Sequence, residues 1–294
     1  MSWLSKLRKK DEPSPLQGSD TAPLRISPLQ EPEAVLLSDQ GCHRTNNQDS
    51  GKIVLPANGN SPNRGLLVIV ADGMGGHKAG EVASQTAVEV IAEVYQKTKG
   101  TPGEALEKAF QEANHSILQQ ATRNPDMAGM GTTCTALAIV GNEAWAAHVG
   151  DSRLYLIRGD SIYQLSEDHT AIQEMVRQGL LSAEEAEHHE DRNVLLRAMG
   201  TKPELTIMRW PQPMDIRQGD SFLLCSDGLH DLVSDEEMMT VVKGASPGDA
   251  CRKLIQMAKE RGGYDNITVA AVAIYSIKDQ ADALKETRAV EVQQ

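Results

Sequence analysis

Apolar residues in this chain fall into two kinds of run. Leu66 to Ala71 (LLVIVA) is continuously apolar and rich in branched side chains, which predicts a buried strand. From Val82, apolar positions return at Ala83, Ala87, Val90, Ile91 and Val94, one face of a helix. A second helical pattern passes through Leu106, Ala109, Phe110, Ala113, Ile117 and Leu118. Four strand candidates follow closely: TCTALAIV, EAWAAHV, RLYLI and SIYQL. Their short joints, Gly141-Asn142 and Gly159-Asp160, predict antiparallel hairpins. SFLLCS and NITVAAVAI predict two late strands, with a helix around Ala250 to Glu260 between them. The order predicts a single α+β domain: two antiparallel sheets packed on each other and covered by helices.

The ends read differently. Residues 1–32 are polar and punctuated by Pro13, Pro15, Pro23, Pro28 and Pro32, as expected of a disordered leader. Trp3, Leu4 and Leu7 beside Lys6, Arg8, Lys9 and Lys10 would suit a short amphipathic turn against a membrane or partner, or simply a solvated basic end. The domain is expected over 33–277 and a polar tail over 278–294.

Composition narrows the function. Hydrophobic residues make up 40% and charged residues 24% of the 294, ordinary values for a globular protein. Aromatics are only 3%, so the core must rest on aliphatic and alanine packing. The net charge of −12, without clustered Lys and Arg beyond the first ten residues, argues against nucleic acid. Cys42, Cys134, Cys225 and Cys251 have no Cys-x-x-Cys spacing, which speaks against a zinc site or a disulfide framework. A reducing, cytoplasmic setting is expected. There is no 18-residue apolar stretch and no signal-peptide apolar run, so stable membrane insertion is not expected.

The candidate chemistry lies in the aspartates. Asp72 follows LLVIVA, Asp227 follows SFLLCS, Asp151 follows AWAAHVG, Asp265 precedes a strand, and Asp49 ends RTNNQD. Strand ends are rigid places to hold carboxylates. Several clustered there would repel one another unless hard divalent cations joined them. Each piece alone has a plainer explanation: Asp72-Gly73, Asp227-Gly228 and Asp265-Asn266 are ordinary turn signals, and Asp151 could be a cap.

The segments GCHRTNNQDS, VADGMGGH, GTTCTALAI, VGDSRLYLIR, LSEDHT, NVLLRAMG, LLCSDGLHD and YDNITV occur in one order between residues 41 and 269. In these segments, and in that order, the chain resembles the metal-dependent protein phosphatases of type 2C, the PPM family, especially bacterial members. The resemblance implies a four-layer α-β-β-α sandwich with a flap over about 171–192. It implies hydrolysis of phosphoserine and phosphothreonine in proteins phosphorylated by a serine/threonine kinase, through water bridging two Mg2+ or Mn2+ ions. Asp72 would bridge the metals, the Gly73 carbonyl would add a ligand, and Asp227 and Asp265 would complete one ion. Asp49 would be a direct or water-mediated ligand. Asp151 would hold a third ion, sharing Asp227, and Arg44 would grip the phosphate. A monomer is expected.

Two departures stand out. Gln48 occupies a position often held by Glu, which removes a charge next to Asp49. Met74 follows Asp72-Gly73 where some members have a histidine acid, so the leaving-group proton would come from His77 or from water. His148 is read as a satisfied core histidine, His169 as a turn residue, and Thr132 and Thr133 either as braces behind the site or as ordinary strand residues. His188 and His189 are read as a solvated helix end rather than ligands. Met127, Met130, Met175 and Met199 are read as packing. A catalytically silent regulator of the same fold and a phosphatase for small phosphorylated metabolites are the alternatives.

Overall fold

The computed structural model describes residues 32–56, 64–75, 79–187 and 189–275. The leader, His77, His188 and the tail lie outside them. β1 (Glu33–Asp39), β2 (Asp49–Val54) and β3 (Leu66–Met74) lead into α1 (Ala79–Lys97) and α2 (Pro102–Arg123). Next come β4 (Gly131–Thr132), β5 (Cys134–Val140), β6 (Glu143–Val149), β7 (Arg153–Arg158) and β8 (Ser161–Gln164). The segment 171–192 carries α3 (Ala171–Arg177) and α4 (Ala183–Glu187). β9 (Met208–Arg209), β10 (Met214–Asp215), β11 (Ser221–Cys225), α5 (Asp227–His230), α6 (Asp235–Lys243), α7 (Pro247–Glu260) and β12 (Ile267–Ala273) complete the chain.

The strands form two sheets. One runs β1-β12-β11-β7-β8; the other runs β10-β6-β5-β3-β2, with β4 on β3 and β9 on β6. Successive strand residues face opposite sides, so a run such as LLVIVA is apolar at every position where both faces of its sheet are covered. In β3, Leu66, Val68 and Val70 point between the sheets, while Leu67, Ile69 and Ala71 meet α1 and α2. In β11, Phe222 and Leu224 point between the sheets, while Leu223 and Cys225 meet α6 and α7. Helices on both outer faces make the four layers. Alanines fill much of the α1–α2 contact, including Ala83, Ala87, Ala105, Ala109 and Ala113, which is how the core closes with so few aromatics.

Helix ends follow local chemistry. Thr101 and Ser234 form capping boxes with Glu104 and Glu237 at the starts of α2 and α6. Gly141 and Gly159 take positive φ of 59° in the β5–β6 and β7–β8 hairpins, as their sequence positions predicted. Met130 and Met199 are buried and Met127 is partly buried, but Met175 on α3 is exposed, which corrects its reading as packing. Among the described residues no helix is long and apolar enough to cross a membrane.

Candidate active site

The two sheets bring five distant aspartates to one end of the sandwich. Asp49 opens β2 and stands directly opposite Asp72 in the antiparallel register of β2 and β3. Like charges at paired positions destabilise a sheet, so this placement costs folding energy that packing does not explain. Asp72 lies inside β3 rather than in a turn, and Asp227 is the first residue of α5. The turn explanation of both Asp-Gly pairs is therefore corrected. Their glycines serve close approach instead: a Cβ on Gly73 would sit 2.1 Å from the Gly80 carbonyl oxygen, and one on Gly228 2.0 Å from that of Asn266.

Small polar groups hold the carboxylates in place. The Asp72 carbonyl accepts hydrogen bonds from the Thr133 amide and the Thr132 hydroxyl, both 2.8 Å, and the Asp72 amide donates to the Thr133 hydroxyl at 3.0 Å. Both threonines thus brace the site from behind. The Ser226 hydroxyl donates to Asp49 Oδ2 at 2.7 Å. Asn266 ties its own loop to three points of the β1–β2 loop. Its Oδ1 accepts from the Gln48 amide at 2.8 Å, and its Nδ2 donates to the carbonyls of Gln40 and Asn46 at 2.9 and 3.0 Å. The His230 ring, almost buried, donates through Nε2 to the Asp151 carbonyl at 3.1 Å. Gln48 donates its side-chain amide to the Gly75 carbonyl at 3.3 Å, so it orients the loop after Asp72.

His148 is a satisfied core residue: Nδ1 meets the Thr135 hydroxyl at 2.8 Å and Nε2 the Gly150 carbonyl at 3.0 Å. His169 differs from its turn reading. Its Nδ1 accepts the Gly150 amide at 3.0 Å and its ring stacks on His148, so it ties the start of the 171–192 segment to the loop that carries Asp151. His189 is half-exposed, and its Nδ1 accepts the amide of Asp191, two residues on.

The electrostatics are unbalanced. Burial, then the charge of Asp265, pushes Asp49 up to about 6. Burial followed by neighbouring carboxylates pushes Asp227 and Asp151 up to about 7 and Asp72 well above the carboxylate range. Asp72 feels the charges of Asp49, Asp227 and Asp151 together. Arg44 faces the group, its Nη2 donating to Asp265 Oδ2 at 2.6 Å. Asp49 Oδ1 and Asp227 Oδ1 are buried and accept no hydrogen bond. As the side chains stand, no three acidic, imidazole or thiol groups among the described residues form a closed ligand set, since Asp265 is turned to Arg44. An oxygen-only donor group with orphaned oxygens and one removable guanidinium nevertheless suits hard divalent cations.

The sequence signals for Ser226, Asn266 and His230 were weak because each acts across the fold. All three lie within the segments LLCSDGLHD and YDNITV, but nothing in their spacing shows which backbone groups they meet.

A family model described as "Protein phosphatase 2C" matches residues 43–259. The chain is 37% identical over 241 residues to the serine/threonine phosphatase Stp of Listeria innocua, covering 80% of this chain and 93% of that one. It is 38% identical over 243 residues to the serine/threonine protein phosphatase PstP of Mycobacterium tuberculosis. That match covers 81% of this chain but spans only 44% of the relative's length. The crystal structure of a PstP catalytic domain in complex with two manganese ions superposes with a TM-score of 0.71 at 35% identity, covering 83% of this chain and 99% of that one. With two sheets between helix layers and aspartates gathered at their end, the chain belongs to the protein phosphatase 2C family.

Proposed function

We propose that this protein hydrolyses phosphoserine and phosphothreonine monoesters in other proteins, using divalent ions held by its aspartates. The observation that carries this reading is the pairing of Asp49 with Asp72 across β2 and β3, with buried, unpartnered oxygens on Asp49 and Asp227. Asp72, Asp227 and Asp265, with the Gly73 carbonyl and Asp49, would hold two ions, and Asp151 with Asp227 a third. Mg2+ or Mn2+ bound there would supply Lewis-acid polarisation of the phosphoryl group and a supply of hydroxide near neutral pH.

The chain's own residues divide the remaining tasks. Arg44, half-exposed and already bonded to one carboxylate oxygen, exchanges Asp265 for phosphate oxygens, for which a planar guanidinium is well shaped. Thr132, Thr133 and Ser226 keep the carboxylates fixed so that little reorganisation accompanies the reaction. Burial pushes the Cys134 and Cys225 thiols up, so neither offers a thiolate nucleophile. His77, which lies outside the described residues, is proposed from its place in DGMGGH to protonate the departing alkoxide. The substrates are expected to be targets of a serine/threonine kinase, the protein monomeric, and its compartment the cytoplasm; four free cysteines support a reducing setting.

A manganese-stimulated, EDTA-inhibited release of phosphate from a phosphothreonine peptide tests this reading. Full activity in EDTA would contradict it, as would a strong preference for sugar phosphates. Arg44→Ala should raise KM for the peptide about 10- to 100-fold, the loss of a charged hydrogen-bonded pair of roughly 1.5–3 kcal/mol, and Arg44→Lys should recover part of it. Steady-state kinetics with both variants checks this, and an unchanged KM in Arg44→Ala would remove Arg44 from the phosphate site.

A further inference from the structure

Two loops meet at the rim of the aspartate cluster, and each carries one exposed ring. The Cys42 amide donates to the Gly263 carbonyl at 2.8 Å, and Arg44 clasps Asp265. Between these two ties the rings of His43 and Tyr264 stack, with centroids 5.2 Å apart and planes 29° from parallel. Tyr264 is nevertheless 63% exposed. Its ring also lies over Gly262, where a Cβ would stand 2.4 Å from the ring carbons. The phenol is thus stacked on the imidazole and lies close against the bare backbone of Gly262, and much of its surface is left open.

This placement is informative because of what flanks it. His43 immediately precedes Arg44, and Tyr264 immediately precedes Asp265. The stacked pair therefore sits one residue along the chain from Arg44, assigned to the phosphate, and from Asp265, assigned to the ions, and one residue of extended peptide advances about 3.3–3.6 Å. That is the reach of the residue next to a phosphorylated serine or threonine. Arg44 is assigned to the phosphate and nearby Lys259 is paired with Asp39, so what these two loops offer to the rest of a substrate is the exposed part of the tyrosine ring. Two fixed aromatic rings present a large contact area with little conformational entropy to lose on binding.

We infer that Tyr264, backed by His43, is a specificity-determining platform that packs against an apolar side chain next to the phosphorylated residue of the substrate. The inference rests on the reading of the site as a protein phosphatase centre. It predicts selectivity among phosphopeptides that depends on flanking sequence and not on the phosphate grip.

The test uses the full chain with manganese and two phosphothreonine peptides that differ only in the residues on either side of the phosphothreonine, leucine in one and glycine in the other. The wild type should favour the leucine peptide by about tenfold in kcat/KM, a typical yield for one apolar contact. Tyr264→Ala should bring that ratio close to one, and Tyr264→Phe should preserve it. Using the ratio removes any general loss from a disturbed loop, because such a loss lowers both peptides alike. An unchanged ratio in Tyr264→Ala, or equal losses on both peptides, overturns the platform while leaving the phosphatase reading intact. Failure of the wild type to hydrolyse either peptide would instead overturn the reading beneath it, and the platform with it.

Discussion

Asp72→Asn is expected to lower kcat on a phosphopeptide by about a thousandfold or more while leaving the metal-free protein at least as stable as the wild type at pH 7. The catalytic loss follows from removing a charge that the cation site needs, worth several kcal/mol of transition-state stabilisation at about 1.4 kcal/mol per tenfold in rate. The stability expectation comes from the fold. Asp72 faces Asp49 across the sheet and feels the charges of Asp227 and Asp151 as well. An amide of the same shape keeps the volume and removes the cost, at pH 7, of placing a carboxyl that must take up a proton on folding. Chemical denaturation in EDTA, beside single-turnover kinetics in manganese, measures both halves. A variant that keeps near-wild-type turnover, or one that is strongly destabilised without metal, would show that Asp72 serves the fold and not the chemistry.

The second large effect is a pH-dependent gap in stability between metal-free and metal-loaded protein. Asp49 is raised to about 6, Asp151 and Asp227 to about 7, and Asp72 further, by burial first and then by one another. A carboxyl raised on folding binds its proton more tightly in the folded state. Its contribution is therefore complete below about pH 4 and is lost as pH climbs through the folded values. Asp39 and Glu237 are shifted the other way, Asp39 by its bond from Lys259 against the opposing pull of burial, and Glu237 to about 2 by its bond from Arg261. Their contribution is present above about pH 4 and lost in acid. Both lie outside the aspartate cluster, so they cancel when the two forms are compared at each pH. Cations neutralise the cluster and compete with protons for it. The melting temperature with manganese minus that without should be small at pH 5 and grow on the order of 5–10 °C by pH 8. A gap that does not change with pH would mean that the raised carboxyls are not the ligands.

How much of this was legible in the sequence depended on burial. LLVIVA, SFLLCS and the run from Ile267 to Ala273 could be read because both faces of those strands are covered, so nearly every position is apolar. β1 and β2 could not. β1 is an edge strand of intermediate burial, and β2 carries Gly51 and Lys52, with Leu36 of β1 filling the space where a Gly51 side chain would be. β4, β9 and β10 have two residues each, too few for any period. α6 was missed although Ser234 and Glu237 spell its capping box, because the apolar face behind them is only three residues, Met238, Val241 and Val242.

For the site, the types and order of the aspartates were visible. The exact opposition of Asp49 and Asp72, the Ser226 and Asn266 ties, and the hold of His230 on Asp151 were not. These depend on register and on contacts between residues as much as 226 positions apart, which sequence spacing does not encode. The two Asp-Gly pairs show the same limit. Local propensity favours a turn, and tertiary crowding at Gly80 and Asn266 explains the glycines instead.

The central claim is that aspartates from separate strands form one cation-binding centre. Anomalous diffraction from a manganese-soaked crystal of the full chain tests it most directly. Peaks enclosed by Asp72, Asp227 and Asp265, with Arg44 released from Asp265, are the expected result. A well-ordered crystal in which Arg44 still clasps Asp265, and in which manganese is bound elsewhere or not at all, would contradict the account.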